Sequence, residues 1–188
     1  MSNLNRYLAA AAVAGSLIAG TGQAQPANLD AVNRSFIEAV TQAGGAPIYT
    51  LSPEAARNVL SGAQSGPVAK LNAEIQDTSF PTGPLGSVNV RIVRPQNVTA
   101  PLPVVMYFHG GGWMLGGKDT HDRLIREIAV GAHAAVVFVD YRRTPDVVYP
   151  VPNEEAYAAT QYVVANARAL NVDASRLAVA GDSAGGNM

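Results

Sequence analysis

Three short, uninterrupted apolar segments, at residues 103–108, 134–139 and 177–180, alternate with segments whose apolar side chains recur every three or four residues. Continuous apolar runs of this length are typical of strands buried on both faces of a sheet, whereas the three-to-four spacing indicates amphipathic helices. Strands that are joined through helices pair in parallel rather than as hairpins. The alternation therefore predicts an α/β domain with a mostly parallel sheet flanked by helices.

A half-buried strand and two helices are expected before this alternation. Val88, Val90 and Ile92 alternate with polar residues, as in a strand with one face on a core. Residues 28–62 have helical apolar spacing, and Ser52-Pro53-Glu54 has the order of a helix start: an N-cap, a proline and an acidic first turn. We therefore expect the chain to comprise three segments: a signal peptide at 1–24, a helical, cap-like segment at 25–70, and an α/β domain at 71–188.

The first residues have the order of an export signal. Arg6 precedes an alanine-rich apolar run over residues 7–19, and Gly22-Gln23-Ala24 places small residues at positions −3 and −1 of a cleavage site. The run is shorter than the roughly 20 residues that a membrane span needs. An ordinary buried helix is the alternative interpretation. We expect cleavage after Ala24 and an exported protein, periplasmic or secreted, with no stable membrane anchor.

Composition excludes several classes of function. Thirteen basic and fourteen acidic side chains in 188 residues give a net charge of −1, which offers no basic face for nucleic acid and no polybasic membrane patch. The sequence has no cysteine, so disulfides, cysteine-ligated zinc and thiol catalysis are excluded. We expect no metal and no organic cofactor. Composition does not specify the oligomeric state.

A glycine-flanked serine follows the third apolar segment. Residues 181–185 fit the pattern G-x-S-x-G between a short buried strand and an expected helix, which is the setting of a nucleophile elbow. The glycines on either side let the chain turn sharply at Ser183 without side-chain clashes. An idle serine in a glycine-rich turn is the alternative. In the first interpretation, Ser183 is a candidate nucleophile.

A second glycine cluster follows the first apolar segment. His109-Gly110-Gly111-Gly112-Trp113 places three glycines at a strand end, where backbone N–H groups can be aimed at an oxyanion. Residues 112–118 also satisfy the G-x4-G-K pattern of a phosphate-binding loop. However, Asp119 stands where magnesium needs a hydroxyl, and its carboxylate would repel phosphate. The glycines therefore favour acyl transfer over nucleotide binding.

Taken together, H-G-G-G-W at 109–113, V-D-Y-R at 139–142 and G-D-S-A-G-G-N at 181–187 resemble the bacterial hormone-sensitive-lipase-like esterases of the α/β-hydrolase fold. The resemblance covers about residues 71–188. It departs at residues 143–146, where Arg-Thr-Pro-Asp replaces the family's usual Leu-Ala-Pro-Glu, and this change puts local packing in doubt.

The resemblance implies a role for each motif residue. Ser183 would be the nucleophile that attacks a small-molecule carboxylic ester and forms an acyl-enzyme. Gly111, Gly112 and Ala184 would donate the oxyanion N–H groups, with Gly110 as a further candidate, and His109 would support the loop. The helices of residues 28–62 would form part of the cap over the acyl pocket.

One expected part of this machinery is missing from the sequence. In this fold an acid and then a histidine follow the nucleophile, but the five residues after Ser183 include neither. We interpret His121 and His133 as surface or turn residues and Asp182 as a turn-fixing residue. The chain is therefore expected to be the N-terminal portion of an esterase, truncated after the nucleophile elbow and inactive alone. A non-catalytic ligand-binding protein on the same fold is the alternative.

Overall fold

A computed structural model describes residues 29–188, which fall into two units with a boundary between Val68 and Ala69. The expected signal peptide at 1–24 lies outside the described residues. Among residues 29–188, no helix is both long enough and apolar enough to cross a membrane.

The first unit is helical. Helix α1 spans Ala31–Ala43 and begins at Asp30, whose carboxylate accepts hydrogen bonds from two backbone N–H groups of the first turn. A 3₁₀ turn at Ile48–Thr50 leads to helix α2, Pro53–Gln64. The hydroxyl of Ser52 accepts a hydrogen bond from the N–H of Ala55, so the helix start expected from the sequence is confirmed.

The second unit contains a five-stranded sheet with the spatial order β1-β2-β4-β3-β5. Strands β3, β4 and β5 run parallel, whereas β1 pairs with β2 and β2 with β4 in antiparallel fashion, so the sheet is mixed. The strands are β1 Ala73–Pro81, β2 Ser87–Pro95, β3 Leu102–Phe108, β4 Ala135–Asp140 and β5 Val172–Gly181. The helices are α3 Asp122–Gly131, α4 Val151–Ala165 and α5 Ala184–Asn187, and a 3₁₀ turn occupies Gly83–Leu85.

Helices cover both faces of the parallel strands. Successive residues of a strand point to opposite faces, and Met106 and Tyr107 of β3 belong to two separate apolar clusters. The Met106 cluster packs against Val163 of α4, and the Tyr107 cluster packs against Ile125 of α3. Burying each such side chain contributes roughly 1.5–3 kcal/mol to folding. This layering confirms the expected α/β class and places both glycine clusters just after strand ends.

The sequence analysis missed one strand and was wrong about the burial of another. Strand β1 was not expected, because most of its side chains are polar and exposed. The segment at 177–180 was expected to be fully buried, yet Val179 is 64% exposed. Among the described strands, β5 hydrogen-bonds only to β3, which leaves its other edge uncovered in this part of the chain.

Candidate active site

Ser183 lies on a strained turn between β5 and α5. Its backbone has φ 48° and ψ −116°, a left-handed conformation that residues with a side chain rarely adopt. The side chain is exposed, and the following residue, Ala184, is buried. Strain of this kind costs about 1–3 kcal/mol and persists only where the surrounding packing enforces it. The turn presents the hydroxyl at the carboxyl end of the sheet.

The two glycines of the motif are required by close backbone contacts. A Cβ added at Gly181 would lie 2.7 Å from the carbonyl oxygen of Phe108, and one at Gly185 would overlap that same oxygen. Both glycines therefore pack directly against the end of β3, where the His109–Gly112 loop begins. The elbow and the glycine loop are neighbours because β3 and β5 are paired in parallel.

The glycine loop folds back on itself after β3. Gly111 and Gly112 have φ values of 118° and 60°, and the carbonyl of Gly111 accepts hydrogen bonds from the N–H groups of Met114 and Leu115. A Cβ at Gly111 would overlap the carbonyl of Leu115, which again requires glycine. The carbonyl of Gly111 is used within the turn that Met114 and Leu115 close. The N–H groups of the glycine loop remain the candidate oxyanion donors.

Asp182 joins the elbow to the glycine loop. Its Oδ1 atom accepts hydrogen bonds from the hydroxyl of Tyr107 and the N–H of Gly110, both at 2.9 Å, and lies 3.4 Å from Nε2 of His121. Partial burial raises the pKa of Asp182, but these donors outweigh it and hold the pKa below its ordinary value. The interpretation of Asp182 as a turn-fixing residue is consistent with these contacts. The N–H of Gly110 is already occupied, which leaves Gly111, Gly112 and Ala184 as oxyanion candidates.

His109 is buried next to the glycine loop. Its side chain is fully buried, stacks on the ring of Tyr141 at 4.2 Å between centroids, and brings Nδ1 to 2.7 Å from the carbonyl of Gly110. Since a carbonyl only accepts, we assign the proton to Nδ1. Burial lowers the pKa of His109 to about 4, so the ring is neutral at pH 7. The hydroxyl of Tyr141 donates to the backbone carbonyl of His109 at 2.7 Å and so holds the backbone of the same residue.

The other two histidines lie in different settings. His121 was expected at a surface or turn, but its side chain is only 15% exposed, because the α3 start folds it towards Asp182 and Thr120. His133 is exposed and lies just before β4, at the opposite end of the sheet. Within residues 29–188, none of the three histidines hydrogen-bonds to Ser183, and no cluster of acidic and histidine side chains could hold a metal.

Comparison with known proteins identifies the fold. A family model described as the α/β-hydrolase fold matches residues 105–188. The described part of the chain has the α/β-hydrolase fold.

Individual relatives extend the match beyond these residues. The crystal structure of a thermostable esterase from Pseudomonas putida superposes with a TM-score of 0.82 at 45% identity, covering 86% of this chain and 50% of that one. Carboxylesterase NlhH of Mycobacterium tuberculosis is 46% identical over 135 residues, which are 72% of this chain and 42% of the relative. Esterase LipI of the same organism is 50% identical over 108 residues, 56% of this chain and 34% of its own length. The chain thus spans half or less of the length of these relatives.

Sequence reasoning missed two residues of this α/β-hydrolase site. Tyr107 and Tyr141 supply the hydroxyls that fix Asp182 and His109, and both side chains are almost fully buried. Tyr107 is the second-last residue of β3, and Tyr141 directly follows β4. A buried tyrosine hydroxyl needs a partner, so a tyrosine next to a functional strand end is a usable signal. Burial raises the pKa of both tyrosines, and they remain donors at neutral pH.

Proposed function

We propose that the complete protein is a serine-dependent carboxylic ester hydrolase with Ser183 as its nucleophile. The observation that carries the proposal is the placement of Ser183 on a strained turn next to the glycine loop. The preceding residue, Asp182, is hydrogen-bonded to that loop. Relatives named carboxylesterase and esterase support the same reaction, as does the family model whose match at 105–188 includes both glycine motifs.

The reaction has two steps. The Ser183 oxygen attacks the ester carbonyl carbon, the alcohol leaves with a proton, and an acyl-enzyme remains. Water then attacks the acyl-enzyme, releases the carboxylic acid and returns the proton to Ser183. In both steps the carbonyl oxygen becomes negative, and the N–H groups of Gly111, Gly112 and Ala184 stabilise it. The reaction needs neither a metal nor an organic cofactor.

The general base is assigned to none of the three histidines described above. His109 holds Gly110, His121 contacts Asp182, and His133 lies at the far end of the sheet. In the chain order of this fold, the acid and the histidine follow the nucleophile. The substrates we propose are small-molecule esters with short acyl chains.

A substitution at Ser183 tests the proposal. In the complete protein, Ser183→Ala should abolish hydrolysis of a short-acyl aryl ester and labelling by a fluorophosphonate, because the attacking oxygen is gone. Ser79→Ala, at an exposed position of β1, should change neither. Turnover retained by Ser183→Ala would exclude Ser183 as the nucleophile, and a parent that binds esters without hydrolysing them would favour the non-catalytic alternative.

Export is a separate part of the proposal. The order of Arg6, the apolar run at 7–19 and Gly22-Gln23-Ala24 supports cleavage after Ala24. N-terminal sequencing of protein isolated from its native host should begin at Gln25. A cytosolic protein with an intact first segment would refute export.

A further inference from the structure

Arg143 reaches from the segment after β4 to the loop after β3. Its side chain is half-buried, and its Nη1 atom donates a hydrogen bond to the carbonyl of Gly116. The N–H of the next residue, Thr144, donates to the carbonyl of Trp113 at 2.9 Å. Two consecutive residues thus hold two carbonyls of the 113–117 segment. A leucine at this position would have no donor to offer the carbonyl of Gly116.

The 113–117 segment packs directly behind the glycine loop. A Cβ added at Gly116 would lie 2.6 Å from the carbonyl oxygen of Gly110 and 2.9 Å from Nδ1 of His109. The carbonyl of Leu115 is in equally close contact with Gly111. No side chain separates the two backbone segments, so a displacement of Gly116 moves Gly110 and Gly111 with it.

The carboxylate of Asp140 lies near the Arg143 guanidinium. A Cβ at Gly117 would lie 3.2 Å from Oδ1 of Asp140 and 3.5 Å from Nη1 of Arg143, so both groups face the same glycine. Burial raises the pKa of Asp140, and the positive charge of Arg143 opposes that rise. The planar guanidinium of arginine is pre-organised, so it loses little freedom when it donates to Gly116.

We propose that Arg143 is a positioning residue for the oxyanion N–H groups: by holding the carbonyl of Gly116, it fixes the backbone of Gly111 and Gly112. The inference rests on the proposed ester hydrolysis. Arg143 itself touches no reacting atom. Oxyanion donors act only when they are aligned with the developing charge, and small misplacements of catalytic groups cost up to about 100-fold in rate.

The test compares three variants of the complete protein. Arg143→Leu removes the donor, Arg143→Lys keeps a charge and one flexible donor, and Arg142→Leu removes the neighbouring guanidinium. Arg142 pairs with the buried carboxylate of Glu155 and with the carbonyl of Leu85, away from the glycine loop, so it reports on stability alone. Each variant is assayed for kcat and KM, for affinity towards a trifluoromethyl ketone that forms an oxyanion adduct with serine, and for amide exchange across 109–117.

The expected results separate positioning from general stability. Arg143→Leu should lower kcat about 10-fold and weaken binding of the trifluoromethyl ketone by a similar factor. It should change KM less than two-fold and speed amide exchange in the loop. Arg143→Lys should lie between this variant and the parent. Arg142→Leu should lower Tm without changing kcat. If Arg143→Leu keeps kcat, ketone affinity and loop exchange within two-fold of the parent, the inference is overturned. A parent that neither hydrolyses esters nor reacts with a fluorophosphonate would instead overturn the proposed function.

Discussion

The carboxylate of Asp182 accepts a hydrogen bond from the backbone N–H of Gly110, and this 2.9 Å contact joins two residues 72 positions apart in the sequence. One partner precedes the candidate nucleophile, and the other begins the glycine run of the candidate oxyanion loop. Pairing of β3 with β5 brings the two segments together, and this hydrogen bond then sets their relative position. Since the bond uses a charged acceptor, it is stronger than a neutral one of the same length.

Asp182→Asn should therefore impair the site without removing any reacting group. The amide keeps the size of the side chain but loses the charge that three donors share, so the elbow and the loop separate slightly. We expect kcat to fall about 10-fold with a smaller change in KM, as for other small misplacements of a catalytic group. Asp119→Asn is the matched control, because that side chain is 83% exposed and outside the site.

The stability effect of Asp182→Asn should depend on pH. The pKa of Asp182 is held below the ordinary value of 3.8, so the contribution of the carboxylate to folding is complete above pH 3.8 and declines as the pH falls through the lower, folded pKa. Thermal unfolding should show the parent more stable than the variant at pH 6 and the gap narrowing in strong acid. A gap that is constant with pH would contradict a charged Asp182.

Buried His109 should destabilise the protein in mild acid. Its pKa in the folded state is about 4, against an ordinary value of 6.5, so the unfolded chain binds the proton more readily between these values. Stability is therefore lost as pH falls from about 6.5, and the loss reaches about 3 kcal/mol near pH 4. Urea unfolding of the complete protein at pH 7 and at pH 4 measures this loss of unfolding free energy.

His109→Asn separates this effect from the titration of other groups. Asparagine can place an N–H where Nδ1 lies, towards the carbonyl of Gly110, but it does not titrate. The stability difference between pH 7 and pH 4 should shrink by about 3 kcal/mol in this variant. His133→Asn, at an exposed position with φ 49° that asparagine tolerates, is the matched histidine-to-asparagine control. Equal pH dependence in the parent and His109→Asn would refute a neutral buried ring.

The central strands were predictable because burial on both faces leaves an unbroken apolar run. The expected strand at 103–108 agrees with β3 within one residue, and that at 134–139 agrees with β4 equally well. Strand β1 was not predictable in this way, since Glu74, Gln76 and Asp77 face solvent and interrupt any alternation. Its pairing with β2 is a long-range event that local composition does not encode.

The glycine motifs of the site were predictable, but their connections were not. Glycines at strand ends indicate a backbone that must turn sharply, and close contacts of Gly181 and Gly185 with Phe108 bear this out. The contact of Asp182 with Gly110 depends on strand order, which periodicity does not specify. The same holds for His121, because nothing in a helix-start pattern says which way the N-cap side chain points.

Ser52→Ala should weaken helix α2 by about 1 kcal/mol, because the hydroxyl of Ser52 caps a backbone N–H that would otherwise have no acceptor in the helix. Amide exchange over residues 53–64 measures the change directly. Ser61→Ala is the matched control, since it makes the same chemical change at an exposed position inside α2 and should slightly favour the helix. Faster exchange in both variants would argue against a capping role.

Gly185→Ala should prevent the elbow from forming, whereas the same change at Gly131 should stabilise the protein. A Cβ at Gly185 would overlap the carbonyl of Phe108 and lie 2.8 Å from that of His109. Both obstacles are backbone atoms of a central strand end, so neither can move aside, and we expect a loss of about 3 kcal/mol or more. Gly131 ends α3 at an exposed position with no heavy atom within 4 Å of an added Cβ, and alanine there should gain up to about 1 kcal/mol. Chemical unfolding and ester hydrolysis of both variants decide the matter. A stable, fully active Gly185→Ala protein would mean that the elbow does not pack against the end of β3 as described.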